Sequence, residues 1–221
     1  MCGRFTLTIT PDQLALRFDV PEPTYDYRPR YNIAPGQNIT AVIQSAGQNR
    51  IGQLKWGLVP PWAKDEKIGY KMINAKSETV REKPAFKSAF LRKRCLIPAD
   101  SFYEWQTTQG GKQPMRILLK NHDLFAFAGL YESWTAPDGN RLHTCTILTT
   151  KPNSLVAPIH DRMPVILRRE DEALWLDRDK HDAELLHSLL IPFPEDEMYA
   201  YPVDKLVGNV RNEVPACIES L

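Results

Sequence analysis

A chain of 221 residues with 43% apolar and 25% charged side chains has the volume and composition of a folded globular protein, which excludes a disordered or low-complexity chain. Its 28 basic and 27 acidic residues leave a formal net charge of +1, so no general affinity for polyanions follows from net charge. No apolar stretch approaches the roughly 18 residues that span a bilayer, and the N-terminus lacks the charged-then-apolar layout of a secretory signal; a cytoplasmic protein without membrane association is expected.

The chain opens Met1-Cys2-Gly3-Arg4. Trimming Met1 leaves a first residue with two nucleophiles, an α-amine of ordinary pKa about 7.7 to 8.0 and a thiol of about 8.5. Such a 1,2-aminothiol meets an aldehyde through nitrogen, as an imine, and then closes through sulfur to a five-membered thiazolidine, which no internal cysteine can do. The competing reading of position 2 is an accident of where translation starts.

Thr10, Pro11 and Gln13 form a capping-box start, and Leu14 and Phe18 share a face, so a helix is predicted over about 11–19. The Pro- and Tyr-rich stretch from Pro21 to Pro35 has too few aliphatics for a regular element. The runs Ile39–Gln44 and Arg50–Trp56 read as a hairpin, followed by the rigid corner W-G-L-V-P-P-W at 56–62. Segment 64–94 holds ten Lys/Arg against four Asp/Glu, and segment 169–197 three against ten, so one surface is expected to be basic and another acidic, or else both are ordinary solvated helical faces. Residues 77–94 are helical in pattern but interrupted at Pro84, with Arg92, Lys93 and Arg94 crowding a helix C-terminus where the dipole favours cations.

From Cys95 to Leu167 the strand-like runs succeed one another at hairpin spacing, with turns at Gly110–Gly111, Asn121–Asp123 and 137–140. Helical signals return at 170–177 and 182–190 before a last strand and the tail V-G-N-V-R-N. There is no repeat and no linker. The fold expected is α+β, a single domain over 1–221 whose antiparallel strands curl toward a barrel with a few peripheral helices.

Four cysteines are scattered at 2, 95, 145 and 217 without a C-x-x-C pair; Cys95 and Cys145 lie in apolar strand-like runs and read as buried thiols, which leaves Cys2 as the chemical one. Glu104, inside F-Y-E-W, is either a desolvated carboxyl of raised pKa suited to general acid–base work or an edge-strand residue facing water. His160, in a loop with Asp161 and Arg162, is either a proton shuttle or a hydrogen-bonded structural histidine; His122, His143, His181 and His187 occupy turn, strand or helix contexts that give them no evident role. Asn74 either orients a polar substrate or caps a turn. No metal-ligand spacing occurs, and phosphate-loop and dinucleotide fingerprints are absent, so no metal and no cofactor is expected.

Seven motifs in order, M-C-G-R-F at the start, Y-N-I-A-P-G at 31–36, W-G-L-V-P-P-W at 56–62, I-N-A-K-S-E-T at 73–79, R-C-L-I-P-A-D-S-F-Y-E-W at 94–105, I-H-D-R-M-P at 159–164 and V-G-N-V at 207–210, closely resemble the SOS-response-associated peptidase family. The resemblance runs from residue 2 to about 212. It implies an α+β domain built on a β-rich pseudo-barrel, acting in the DNA-damage response on abasic sites in single-stranded DNA. It further implies that Cys2 attacks the C1′ aldehyde of the opened sugar to form a thiazolidine crosslink shielding the lesion, with Asn74, Glu104 and His160 on the other active-site positions. Arg4, Lys76 and Arg162 fall on DNA-contacting positions, and Lys76 replaces the arginine usual in the family, which keeps the charge but loses the bidentate fork. Stacking of unpaired bases is expected on at least one of Trp62 and Trp105, with Trp56 assigned to the core.

The implied protein is a monomer that needs no cofactor and associates with the nucleoid when bound to DNA. Its enzymatic character is lyase- or peptidase-like, since the family name records a peptidase action for which self-removal of Met1 is one reading. Two other functions stay open: an amidohydrolase or peptidase in which Cys2 is acylated, His160 or the α-amine is the base and Asn74 stabilises the oxyanion, and a non-catalytic single-strand binder.

Overall fold

The computed structural model describes residues 2–221. In chain order the regular elements are β1 (Phe5–Leu7), α1 (Pro11–Phe18), β2 (Arg30–Ile33), β3 (Asn38–Ser45), β4 (Gln48–Trp56), β5 (Asn74–Lys76), α2 (Lys87–Arg92), β6 (Arg94–Ala99), β7 (Ser101–Thr108), β8 (Gly111–Leu119), β9 (Phe125–Thr135), β10 (Arg141–Thr150), β11 (Met163–Pro164), α3 (Arg169–Leu176), α4 (Ala183–Ser188) and β12 (Met198–Pro202), with short 3₁₀ turns between them. Strands β3, β4, β10, β9 and β6 pair in a closed ring. Four of the pairings are antiparallel, and the ring is completed by a short parallel contact of β4 with β10 at Lys55–Thr144 and Trp56–Cys145. Beside this barrel lies an antiparallel sheet in the order β12, β8, β7, β1, β2. The α+β, β-rich architecture read from the sequence is the one found.

The two sheets share a corner. At Asp100 the chain leaves β6 of the barrel and enters β7 of the second sheet, and the buried Asp100 carboxylate ties that corner to β1 and the residue beyond it. Its oxygens accept from the Thr6 hydroxyl, the Thr8 backbone N–H and the Thr8 hydroxyl, with Arg116 Nη2 3.8 Å away. A buried carboxylate satisfied from several donors is retained as a rigid joint, because each donor would otherwise be stranded. β1 is thereby fixed between β2 and β7 although it has only three residues.

The core follows from the same runs that marked the strands. Phe5, Trp56, Phe102 and Phe127 are buried and stack edge to face, with centroid separations of 5.3 Å for Phe5–Trp56 and 5.6 Å for Phe5–Phe127. Cys95 and Cys145 are buried thiols, as their runs implied. Helix α1 begins as read, the Thr10 N–H donating 3.0 Å to Gln13 Oε1, and buries Leu14 and Phe18. The W-G-L-V-P-P-W corner is set by a close crossing: a Cβ on Gly57 would lie 2.7 Å from the Gly69 carbonyl oxygen, and Gly57 has φ +133°, so only glycine fits there.

One expectation is revised. The stretch 21–35 contains β2, which its composition had argued against. One face of this edge strand needs no aliphatic run, because the Glu213 carboxylate accepts the Tyr31 and Asn32 N–H groups along its outer edge and Ile33 supplies the buried contact. The oppositely charged segments 64–94 and 169–197 meet along one seam. Arg81 pairs with Glu184, and Arg94, only 3% exposed, caps the ends of α2 and α3 by donating to the carbonyls of Phe90, Leu91, Trp175, Asp177 and Lys180. His181 and His187 likewise bond the carbonyls of Leu91 and Ser77.

Arg94→Met keeps most of the apolar stem but strands those carbonyls in the interior, so it is expected to lower unfolding free energy by about 3 kcal/mol or more, and Arg94→Lys to restore only part of it. Urea unfolding followed by circular dichroism reads this directly; a loss under about 1 kcal/mol for Arg94→Met contradicts the capping role.

Candidate active site

The antiparallel register of β1 on β7, with Phe5 opposite Phe102 and the Tyr103 N–H donating 2.9 Å to the Arg4 carbonyl, carries the first residues of the chain past Tyr103 toward Glu104. Cys2 is completely buried there. Burial pushes its thiol pKa well up, the negative charge of Glu104 adds to the shift, and the Arg4 backbone N–H, hydrogen-bonded to the sulfur, works against it. A thiolate is therefore disfavoured in the resting protein.

Glu104 is 2% exposed, in a strand where Phe102 and Tyr103 are also buried. Burial raises its carboxyl pKa to about 7, with Asp161 contributing in the same direction. Its Oε2 lies 3.9 Å from His160 Nε2, an electrostatic contact longer than a hydrogen bond. The histidine loop is braced from within. Asn153 is buried, its Oδ1 accepts the Val156 N–H at 2.9 Å and its Nδ2 donates to the Phe193 carbonyl at 2.7 Å, while the His160 N–H donates 2.9 Å to the Val156 carbonyl. His160 Nδ1 accepts the Arg162 backbone N–H at 3.0 Å, which leaves the proton of the neutral ring on Nε2, facing Glu104. Burial lowers the His160 pKa and favours that neutral form, whereas protonation at Nδ1 would engage Asp161 Oδ1, 2.9 Å away.

Asn74 opens β5 opposite Ile147 of β10, and the preceding carbonyl of Ile73 is pinned by Trp56 Nε1 at 2.8 Å and by the Ile147 N–H at 3.1 Å. Its amide nitrogen donates 3.3 Å to the Ile147 carbonyl, while its buried Oδ1 has no partner among the described residues. An unsatisfied buried acceptor costs about 1 to 3 kcal/mol, so it marks a place where a bound N–H or hydroxyl belongs.

The positively charged candidates differ in how free they are. Lys76, opposite Thr149, is exposed. Arg162 donates to the same Thr149 carbonyl at 2.7 Å but is otherwise held bidentate by Glu78 at 2.6 and 2.9 Å, and that bond, more than anything else, depresses the Glu78 pKa to about 2. A phosphate at Arg162 must displace Glu78. Arg4 is 9% exposed and turned inward, with Nη1 bonded to Asn32 Oδ1 and the Val207 carbonyl. Trp62 is 59% exposed on a loop anchored by Trp134 Nε1 to the Ala63 carbonyl at 2.7 Å. Trp105 is half-buried with the Arg4 guanidinium 5.6 Å from its ring centroid, and Trp56 is in the core.

The structure thus sets Glu104 beside His160 and within electrostatic reach of Cys2, and it aligns Asn74, Lys76 and Arg162 along β10. Asn32, Glu78 and the bracing Asn153 escaped the sequence reading, since their partners lie far along the chain or their roles depend on loop geometry. Among the described residues no group of three or more His, Cys, Asp or Glu side chains is placed to hold a metal ion, and no helix is long and apolar enough to cross a membrane.

The family model for SOS response associated peptidases matches residues 1–210. The abasic site processing protein YoqW of Bacillus subtilis is 55% identical over 223 residues, covering 100% of both chains. The abasic site processing protein HMCES of Xenopus tropicalis is 30% identical over 270 residues, covering 100% of this chain and 78% of its own. A crystal structure of a protein from Bacteroides thetaiotaomicron superposes with a TM-score of 0.90 at 27% identity, covering 100% of both chains.

The raised Glu104 pKa has a consequence for stability. Between the ordinary carboxyl value of 4.5 and about 7 the native protein holds a proton that the unfolded chain has released, so this group's contribution to stability falls as pH rises through that window. At about 1.4 kcal/mol per unit the change is about 3 kcal/mol. Glu104→Gln removes it, so unfolding free energies of variant and parent measured in urea at pH 4.5 and 7.5 should diverge by that amount in favour of the variant at the higher pH. Parallel curves contradict a buried, raised carboxyl.

Proposed function

The chain belongs to the SOS response associated peptidase family, and on that premise we propose that it recognises abasic sites in single-stranded DNA and captures them covalently through Cys2 once Met1 is removed. The observation that carries this reading is the buried Glu104 carboxyl, with a pKa of about 7, next to His160 and within electrostatic reach of Cys2. Family membership and relatives named as abasic site processing proteins supply the substrate class.

The chemistry proceeds in balanced steps. The Cys2 amine adds to the C1′ aldehyde of the opened deoxyribose, the carbinolamine loses one water to give an imine, and the sulfur then bonds to the imine carbon while the thiol proton passes to nitrogen. One water leaves overall. Glu104, poised between its two protonation states near neutrality, takes the proton from the attacking amine and returns it to the departing hydroxyl. His160, neutral and carrying its proton on Nε2, assists opening of the closed sugar, and the unfilled Asn74 Oδ1 accepts from the amine or a sugar hydroxyl. The high thiol pKa fits this order, because the amine attacks first and the thiol adds only to an already activated imine. Acyl transfer led by a Cys2 thiolate, the amidohydrolase alternative, needs the ionised form that burial suppresses. Lys76 and Trp62 are the most accessible contacts for phosphate and base, with Arg162 joining when phosphate replaces Glu78 and Trp105 offering its exposed edge.

Mixing the processed protein with single-stranded DNA carrying one abasic site should give a denaturant-resistant species whose intact mass equals the sum of both less one water, and the lesion-free strand should give none. Cys2→Ser should abolish the stable product, because an oxygen nucleophile closes the ring far less readily. No covalent species across pH 6 to 8, or a heat-stable adduct from Cys2→Ser, would sink the reading.

A further inference from the structure

Two motifs, Y-N-I-A-P-G at 31–36 and V-G-N-V at 207–210, take no part in the reaction just described, yet both converge on Arg4. Arg4 Nη1 donates 2.6 Å to Asn32 Oδ1 and 2.6 Å to the Val207 carbonyl, and Nη2 reaches the Gly208 carbonyl at 3.5 Å. Val207 and Gly208 close a 3₁₀ turn, Lys205–Gly208, whose last carbonyls lack partners within the turn, so a cation placed there satisfies them. Asn32 is fully buried and turns its amide N–H groups toward the carbonyls of Val207 at 3.2 Å, Asn209 at 3.0 Å and Asn212 at 2.8 Å. Its own backbone N–H is held by Glu213 at 2.8 Å. Trp105 flanks the guanidinium from β7.

The main chain of the same residue carries the nucleophile. The Arg4 carbonyl accepts from Tyr103, immediately before Glu104, and its N–H is hydrogen-bonded to the Cys2 sulfur. We propose that Arg4 is a positioning residue, seated by Asn32 and the segment 207–213, which fixes Cys2 against Glu104 without contacting DNA phosphate. Arg4 is 9% exposed and its Nη1 is filled twice; Nε has no partner among the described residues but is itself buried, and Nη2 makes only the 3.5 Å contact, so it is burial that keeps an external anion from the group. The part of the chain that places the N-terminal nucleophile is then its C-terminal segment. Lysine substitutes only in part: its ammonium can meet the two acceptors that Nη1 meets, but it gives up the Nη2 reach to the Gly208 carbonyl and the planar group beside Trp105.

The inference rests on the crosslinking reading for its kinetic test and has a second test that does not. Arg4→Gln, Arg4→Lys and Asn32→Ser are compared with the parent, with folding confirmed by thermal melts. At saturating abasic single-stranded DNA the crosslinking rate should fall about 10²-fold for Arg4→Gln and Asn32→Ser, as for a nucleophile displaced by about 1 Å, and less for Arg4→Lys, while affinity for the lesion-free strand and its salt slope stay at the parent value. Without DNA, alkylation of Cys2 by iodoacetamide, located by peptide mass mapping, should accelerate as the segment loosens. A fall of about 0.7 in the salt slope for Arg4→Gln with an unchanged saturating rate makes Arg4 a phosphate contact and overturns the proposal. So do unchanged crosslinking and alkylation rates, or failure of both Arg4→Gln and Asn32→Ser to fold, which would make the network a general folding element. If the parent itself does not crosslink, the functional reading fails alone, and alkylation still decides the role of Arg4.

Discussion

A carboxyl group buried against the first residues of the chain is the constraint around which the molecule is arranged. Taking Glu104 out of water costs free energy that grows as it ionises, and the fold accepts that cost in β7, between aromatic neighbours and beside His160. A site tuned this way exchanges a proton near neutrality with little driving force in either direction, which suits a sequence of addition, dehydration and ring closure better than a fixed charge would. It also requires that the chain start be brought to the carboxyl and kept there. A free terminus is ordinarily the most mobile part of a domain.

The structure meets that requirement by making the N-terminal strand interior. β1 pairs on both edges, Asp100 gathers the hydroxyls of Thr6 and Thr8 at the corner where the two sheets meet, and Arg4 reaches across to the carbonyls at the far end of the chain. Each tie is a polar group buried with its partners, so the segment has one favourable arrangement and several costly ones. The barrel provides the rest: β10 holds β5 on one edge and β11 on its end, and so brings Asn74, Lys76 and the loop of His160 and Arg162 to one place from three parts of the sequence.

Much of this was legible from the residues. Capping at Thr10–Gln13, the hairpin ending at Trp56, the run of strands from Cys95 and the helices near 170 and 182 follow from local chemistry and periodicity, and each appears where those signals stand. The aromatic flanks of Glu104 allowed a raised pKa but left open an edge-strand carboxylate facing water; the pairing of β7 with both β1 and β8 decides between them. What the sequence hid depends on partners distant in the chain: the Glu213 carboxylate that makes β2 a strand, the Glu78 grip on Arg162, and the packing of the basic segment on the acidic one through Arg81 and Arg94. A resemblance in motifs assigns Arg4 to DNA, but only the folded chain shows that its guanidinium is turned inward, with Nη1 bonded to Asn32 and Val207.

The central claim is that the free amine of Cys2, and not its thiol alone, begins the reaction. It is tested most directly by a protein extended at the N-terminus with a tag that cannot be removed, its retention verified by intact mass. The extension turns the amine into a non-nucleophilic amide while leaving the thiol, Glu104 and His160 in place. The account predicts a folded protein that binds single-stranded DNA and yields no thiazolidine with the abasic strand; crosslinking as fast as in the processed form would contradict it.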